Sequence, residues 1–342
     1  MHILITGGAG FIGSHLAEYH LSRGHKVHAV DDMSTGSVDN ISAFKENGDF
    51  RFDEADVLTW PDLGKAVVWA DRIYHMAAVV GVFKVLEEPI KVLAVNVAGT
   101  ERLLRAAHSC TWNPHVVVAS SSEVYGRGAA GRGDSSPGSD GDGRYPAPAF
   151  REDMEPVMGS STVSRWNYSI SKVADEAFGL SYARRFGMKV IVVRLFNTIG
   201  PRQMGRYGMV VPRFVEQAVS GHPITVYGDG SQQRSFCDVR DVVKALDLLA
   251  DNPRSVGEIV NVGNNREISI RELAELIKQR AGSDSAITYV PYREAYGADF
   301  EEVYHRKPDL GKLLRLTDFR HQWSLEQTID DLIRLRQAAS EV

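Results

Sequence analysis

Along the first two hundred residues, short apolar runs alternate with longer stretches whose apolar positions recur at three- and four-residue steps. The short runs, at 2–6, 26–30, 51–52, 72–75, 115–120 and 189–194, read as strands. The longer stretches, at 14–23, 92–109 and 171–185, read as helices with one apolar face. Strand–helix alternation of this kind predicts a doubly wound, parallel α/β sheet. One stretch breaks the pattern. Residues 126–143 hold seven glycines, with Ser, Asp and Pro filling most of the rest. Such a composition buries too little apolar area to offset the entropy of ordering, so a mobile surface loop is expected there.

The first predicted strand runs directly into Thr6-Gly7-Gly8-Ala9-Gly10-Phe11-Ile12-Gly13. Glycines at 7, 10 and 13 let the backbone approach a pyrophosphate closely, and the helix starting near Phe11 and Ile12 points its N-terminal N–H groups at the charge. Glycines in this spacing also serve ordinary turns; the strand before them and the helix after them favour a Rossmann-like dinucleotide site. The second strand ends in Asp31-Asp32. Carboxylates there accept from the adenosine ribose hydroxyls and repel the extra phosphate of NADP, so NAD is the expected cofactor. Asp56 and Val57 follow the third strand, within reach of an adenine amino group, and Ala77 and Ala78 follow the fourth, where small side chains let a cofactor lie against the backbone. Asn96, in the next helical stretch, is counted with the cofactor residues.

Composition narrows the surroundings. The chain has 342 residues, 43% hydrophobic and 24% charged, with a net charge of −5. It carries no basic run longer than Arg184-Arg185 and no apolar stretch of membrane-spanning length, so neither nucleic acid nor a membrane is an expected partner. The strand starting at His2 leaves no room for a signal peptide, and Cys110 and Cys237 form no metal or redox spacing. A cytoplasmic protein with reduced thiols and no metal is the expectation.

Two segments on either side of the glycine-rich stretch carry candidate chemistry. Val118-Ala119-Ser120-Ser121-Ser122-Glu123-Val124-Tyr125 ends a strand in hydroxyls and a carboxylate, and Arg165-Trp166-Asn167-Tyr168-Ser169-Ile170-Ser171-Lys172 places Tyr168 and Lys172 four residues apart. On a helix those two share a face. An ammonium beside a phenol favours the phenolate, as does a positive nicotinamide, giving a base usable near neutral pH. Ser121 can share the proton.

These motifs, with Leu195-Phe196-Asn197-Thr198-Ile199-Gly200-Pro201-Arg202, Val226-Tyr227-Gly228-Asp229-Gly230-Ser231-Gln232-Gln233-Arg234, Asn261-Val262-Gly263-Asn264 and His305-Arg306-Lys307-Pro308-Asp309, resemble the extended short-chain dehydrogenase/reductases. The resemblance covers nearly the whole chain and points to the nucleotide-sugar epimerase, dehydratase and decarboxylase branch. It implies an NAD-binding domain over 1–195, with 126–163 as an inserted loop. It also implies a smaller α/β lobe over 196–342 for the nucleotide sugar, part of 235–265 returning to the first domain. Tyr168, Lys172, Ser121, Ser122 and Glu123 would form the catalytic group. Asn197 would meet a phosphate or the sugar, and the backbone around Val211 the uracil. Tyr227 and Gln232 would line the uridine pocket, while Arg234 and Arg306 would clamp the diphosphate in forked geometry. Relatives commonly pair through a four-helix bundle, so a homodimer through the helices at 92–109 and 171–185 is expected.

The branch shares a transient oxidation at carbon 4 of the sugar, with Tyr168 taking the proton of the 4-hydroxyl. A 4,6-dehydratase of this family has an Asp-Glu pair where this chain has Ser122-Glu123, which disfavours dehydration. Ser122-Glu123, Arg165-Trp166 and His305-Arg306-Lys307-Pro308 resemble UDP-glucuronate decarboxylases. Thr198 and Arg206 instead resemble the pair that holds the substrate carboxylate in UDP-glucuronate 4-epimerases, with two extra residues between Gln203 and Arg206. Epimerisation between UDP-glucuronate and UDP-galacturonate is the first expectation. UDP-glucuronate decarboxylation is the second, and 4-epimerisation of UDP-glucose the third. An NAD-binding regulator without turnover is the reading from another class; it predicts a broken catalytic set, whereas Tyr168, Lys172 and Ser121 are all present.

Overall fold

The computed structural model describes residues 1–127, 149–205, 208–296 and 305–340. Most of the glycine-rich stretch and Arg206 lie outside the described residues. Strands in chain order are β1 (His2–Thr6), β2 (Lys26–Asp31), β3 (Phe50–Glu54), β4 (Arg72–His75), β5 (His115–Ser121), β6 (Val190–Leu195) and β7 (Thr198–Ile199). They continue as β8 (Ile224–Tyr227), β9 (Gln233–Ser235), β10 (Cys237–Asp238), β11 (Ile259–Val262), β12 (Glu267–Ser269) and β13 (Ile287–Val290). Helices are α1 (Phe11–Ser22), α2 (Leu63–Trp69), α3 (Val82–Glu87), α4 (Pro89–His108), α5 (Trp166–Phe186) and α6 (Val210–Val219). After them come α7 (Val239–Asp251), α8 (Ile270–Arg280), α9 (Tyr292–Tyr296), α10 (Gly311–Leu316) and α11 (Leu325–Ser340).

Seven strands form one parallel sheet in the order β11-β6-β5-β4-β1-β2-β3. Its inner strands are near-continuous Val, Ile and Leu because helices cover both faces: Ile3, Leu4, Ile5, Val116, Val117, Val118, Ile191, Val192 and Val193 are all fully buried. One face packs residues of α1, α7 and α10, and the other residues of α2, α4 and α5. The strand order reverses between β1 and β4, where an open α/β sheet leaves a crevice at its carboxyl ends. This is the Rossmann-like α/β fold the alternation predicts.

The C-terminal elements build a second core from α6, α8, α11 and β8. A capping box starts α8: the Ser269 hydroxyl accepts from the Glu272 amide at 3.1 Å, and the Glu272 carboxylate accepts from the Ser269 amide at 2.8 Å. The two cores are interleaved in the chain. β11, far along the sequence, joins the β6 edge of the main sheet, with Ile259 opposite Val192.

A polar network fixes the segment that re-enters after the glycine-rich stretch. Gly126 bridges Val157, and Phe150 bridges Pro308. The buried Asn261 side chain accepts from the Tyr125 hydroxyl at 2.7 Å and donates to the Phe150 carbonyl at 2.8 Å. Residues 149–157 thereby brace Tyr125 against the segment that carries Arg306. Among the described residues no helix is long and apolar enough to cross a membrane, and no cluster of His, Cys, Asp and Glu has metal-holding geometry.

Candidate active site

The β1–α1 turn is shaped by what cannot fit in it. Gly7 has φ +70°, and a Cβ there would lie 2.7 Å from the Ala77 amide nitrogen; a Cβ on Gly13 would lie 2.0 Å from the Gly7 carbonyl oxygen. Only glycine lets the turn close this tightly, which brings the backbone of Gly10 and the first residues of α1, Phe11 and Ile12, to the rim of a cavity of about 480 Å³. Asp31, at the end of β2, braces the turn by accepting from the Ala9 amide at 3.0 Å and the Met33 amide at 2.9 Å. Burial pushes its carboxyl up, and those backbone donors oppose the shift. Asp32 accepts from the amide and hydroxyl of Ser34 at 3.0 and 2.6 Å. Asp56, Val57, Ala77 and Ala78 continue the same wall.

At the other end of the crevice, α5 carries Tyr168 and Lys172 on one face, beside Ser121 at the end of β5. Lys172 is almost fully buried, with its ammonium donating to the Ala119 carbonyl at 2.9 Å and to Asp175 at 3.0 Å. The Tyr168 phenol stands beside Ser121, whose hydroxyl favours its ionised form. Burial pushes this phenol above its usual value, and Lys172 and Ser121 only partly reverse that. The sequence places an ammonium beside the phenol; in the structure Asp175, one turn on, takes a share of that ammonium.

Glu123 opens the short turn after β5. Its carboxylate pairs with Arg306 at 2.6 Å and lies 3.8 Å from Arg165. Burial alone would raise this carboxyl, but Arg306 and Arg165 outweigh it and hold it at about 2. From the C-terminal elements, Val211, Tyr227, Gln232 and Arg234 reach the same cavity. The Gln232 amide donates to the Tyr227 carbonyl at 3.1 Å. Asn197 donates to the Ser235 carbonyl at 3.0 Å, and the Thr198 hydroxyl donates to the Phe196 carbonyl at 3.0 Å.

One cavity thus gathers every residue the motifs nominate, Ser122 included, except two. Arg206 lies outside the described residues. Asn96 is absent from the cavity lining: it is buried in α4, accepts from the Val79 amide at 2.8 Å and donates to Ser171 at 3.0 Å. These bonds fix the Val79 loop to α5. Val79, Val85, Gln203 and Tyr292, which no motif nominates, also line the cavity. Arg165 stands in the sequence only as a point of resemblance; no local pattern links Arg165 or Arg306 to a carboxylate so far away in the chain.

Residues 3–263 match the NAD dependent epimerase/dehydratase family. The chain belongs to that family. Along 97% of its length it is 38% identical to the UDP-N-acetyl-alpha-D-glucosaminuronate decarboxylase of Bacillus cytotoxicus, covering 96% of that protein. It is 32% identical to UDP-glucuronic acid decarboxylase 1 of Xenopus tropicalis, over 97% of this chain and 71% of the relative. Among solved structures, the UDP-glucose 4-epimerase of Thermotoga maritima with UDP-glucose superposes with a TM-score of 0.83 at 26% identity, covering 99% of this chain and 100% of that one. The UDP-glucuronic acid 4-epimerase of Bacillus cereus, crystallised with NAD, gives 0.79 at 25% identity over 98% and 100%.

As a member of this family the protein is an NAD-dependent enzyme, and its turn fits that cofactor. The glycine cradle excludes any Cβ at 7 and 13, the α1 N-terminus adjoins the cavity, and two carboxylates stand at the end of β2.

Proposed function

We propose that this epimerase/dehydratase-family enzyme decarboxylates a UDP-linked uronate, either UDP-glucuronate or its 2-acetamido counterpart. What supports the reading most is that 97% of the chain aligns with decarboxylases of UDP-linked uronates, at 38% and 32% identity. Oxidation at carbon 4 makes the substrate a β-keto acid, whose carboxylate leaves as CO₂ once its C–C bond lines up with the ketone.

Gly7, Gly10, Gly13, Asp31 and Asp32 would hold NAD, which when bound takes up and returns the hydrogen of sugar carbon 4 with its electron pair. Tyr168 accepts the 4-hydroxyl proton, with Ser121 sharing it and Lys172 compensating the charge. After CO₂ leaves, the Tyr168 hydroxyl and Ser121 are the donors to the enolate oxygen. Arg234 and Arg306 would clamp the diphosphate, and Tyr227, Gln232 and the backbone at Val211 the uridine. Glu123, held charged, positions Arg306 and Arg165 and supplies no proton near neutral pH.

The second reading is 4-epimerisation of UDP-glucuronate to UDP-galacturonate, favoured by Thr198 and Arg206 standing close in sequence. Incubation with UDP-glucuronate and with UDP-N-acetylglucosaminuronate, followed by mass detection of products, separates the two. A product lighter by CO₂ is expected; an isomer of unchanged mass would replace the decarboxylase reading with the epimerase one. A homodimer through α4 and α5 belongs to the same proposal. Ile90, Ile170 and Phe186 on these helices are 82%, 37% and 50% exposed, and light scattering should return twice the chain mass.

A further inference from the structure

Lys172 sits between two acceptors of charge. Its ammonium has three donors: one goes to the Ala119 carbonyl at 2.9 Å and one to the Asp175 carboxylate at 3.0 Å, leaving one for the cavity that Lys172 lines. Asp175 is fully buried one helical turn beyond Lys172, and lies outside the cavity lining. From there its carboxylate takes one hydrogen bond of the ammonium whose charge also acts on the Tyr168 phenol.

Burial pushes the Asp175 carboxyl up, and Lys172 and the Thr100 hydroxyl of α4 oppose that shift. His75 of β4 is buried, bonded through Nδ1 to Thr6 and through Nε2 to Thr100, and burial holds it neutral. Glu176, the next acid on α5, is matched by Arg194 of β6 at 2.8 Å and by the Ser120 hydroxyl at 2.6 Å. Glu123, facing from the turn after β5, is matched by Arg306 and Arg165. Asp175 is thus the acid in this surround whose cation is Lys172 itself.

We propose that Asp175 is a positioning residue which anchors Lys172 and withholds part of its charge from Tyr168, so that the phenol surrenders its proton only when the positive, oxidised cofactor is also present. The resting enzyme then keeps Tyr168 protonated, and the base forms together with the ternary complex. The inference deepens the role of Tyr168 given above, but it holds whether the product is a decarboxylated or an epimerised sugar.

The test is Asp175→Asn, with Asp175→Ala as a second variant in case the amide disturbs folding; both delete the charge. Two readouts are taken. In the full chain without added cofactor, ultraviolet difference titration against the matching Tyr168→Phe background follows the Tyr168 phenolate alone. With NAD and substrate, the acid limb of kcat/KM against pH follows the same proton. Removing a negative charge lowers the phenol pKa, so both transitions should move to lower pH by roughly one unit, a tenfold change in the phenolate ratio at fixed pH. If either variant is folded and neither transition moves, Asp175 is a packing residue only and the proposal is overturned. The phenolate titration needs no turnover, so its outcome is independent of any failure to find a uronate substrate.

Discussion

Replacing Glu123 with glutamine tests the arginine cradle by a route independent of substrate. The carboxyl is held at about 2 instead of its ordinary 4.5, by Arg306 at 2.6 Å and Arg165 at 3.8 Å acting against burial. A displacement of that size corresponds to about 3 kcal/mol of stability at neutral pH, and the 22% exposure of the side chain brings this to about 2 kcal/mol through solvent screening. Because the folded-state pKa is depressed, the contribution is complete above about pH 4.5 and fades as pH falls toward 2. Glu123→Gln should therefore unfold in urea with about 2 kcal/mol less stability at pH 7, and the gap to the parent should shrink by about 1 kcal/mol near pH 3.5. Paired urea titrations followed by tryptophan fluorescence measure it. A gap that is absent at pH 7, or that is the same at both pH values, would refute the assignment of this carboxylate as a charged partner of two arginines.

Two other substitutions address the chemistry and the cofactor. Tyr168→Phe should lower kcat by about 100-fold or more while NAD and UDP still bind with parental affinity by calorimetry; retained turnover would remove Tyr168 from proton transfer. In Gly13→Ala the new Cβ meets the Gly7 carbonyl oxygen at 2.0 Å, so the turn must open and NAD affinity should fall roughly tenfold or more. Parental affinity in a folded Gly13→Ala protein would show that the cradle is not where the pyrophosphate sits.

The sheet is legible in the sequence wherever burial on both faces leaves unbroken apolar runs. β1 and β4 fall at the predicted bounds, β2 and β5 run one residue further at their ends, and β6 is shifted by one residue at both ends. Helix α5 begins at Trp166, five residues earlier than its periodicity suggests, because its first turns carry the site residues and have no apolar stripe to betray them. The nominated residues converge because the glycine turn, the Ser121 strand end and the Tyr168–Lys172 pair all sit at carboxyl ends of one sheet. What is not legible is pairing across distance. The Glu123–Arg306 contact spans 183 positions, and Asp175 reads as an ordinary helix acid until the fold buries it against Lys172.

The position of β11 has a consequence for biosynthesis. The edge of β6, complete by Leu195, has no hydrogen-bonding neighbour until Ile259–Val262 has left the ribosome. At roughly 5–20 residues per second, several seconds pass in which a Val- and Ile-rich strand edge is exposed on the nascent chain. Such an edge is a template for pairing with other chains. A fragment ending after β6 would carry the glycine cradle and the Tyr168–Lys172 pair yet keep that edge permanently open, and the remedy lies in retaining the chain through β11.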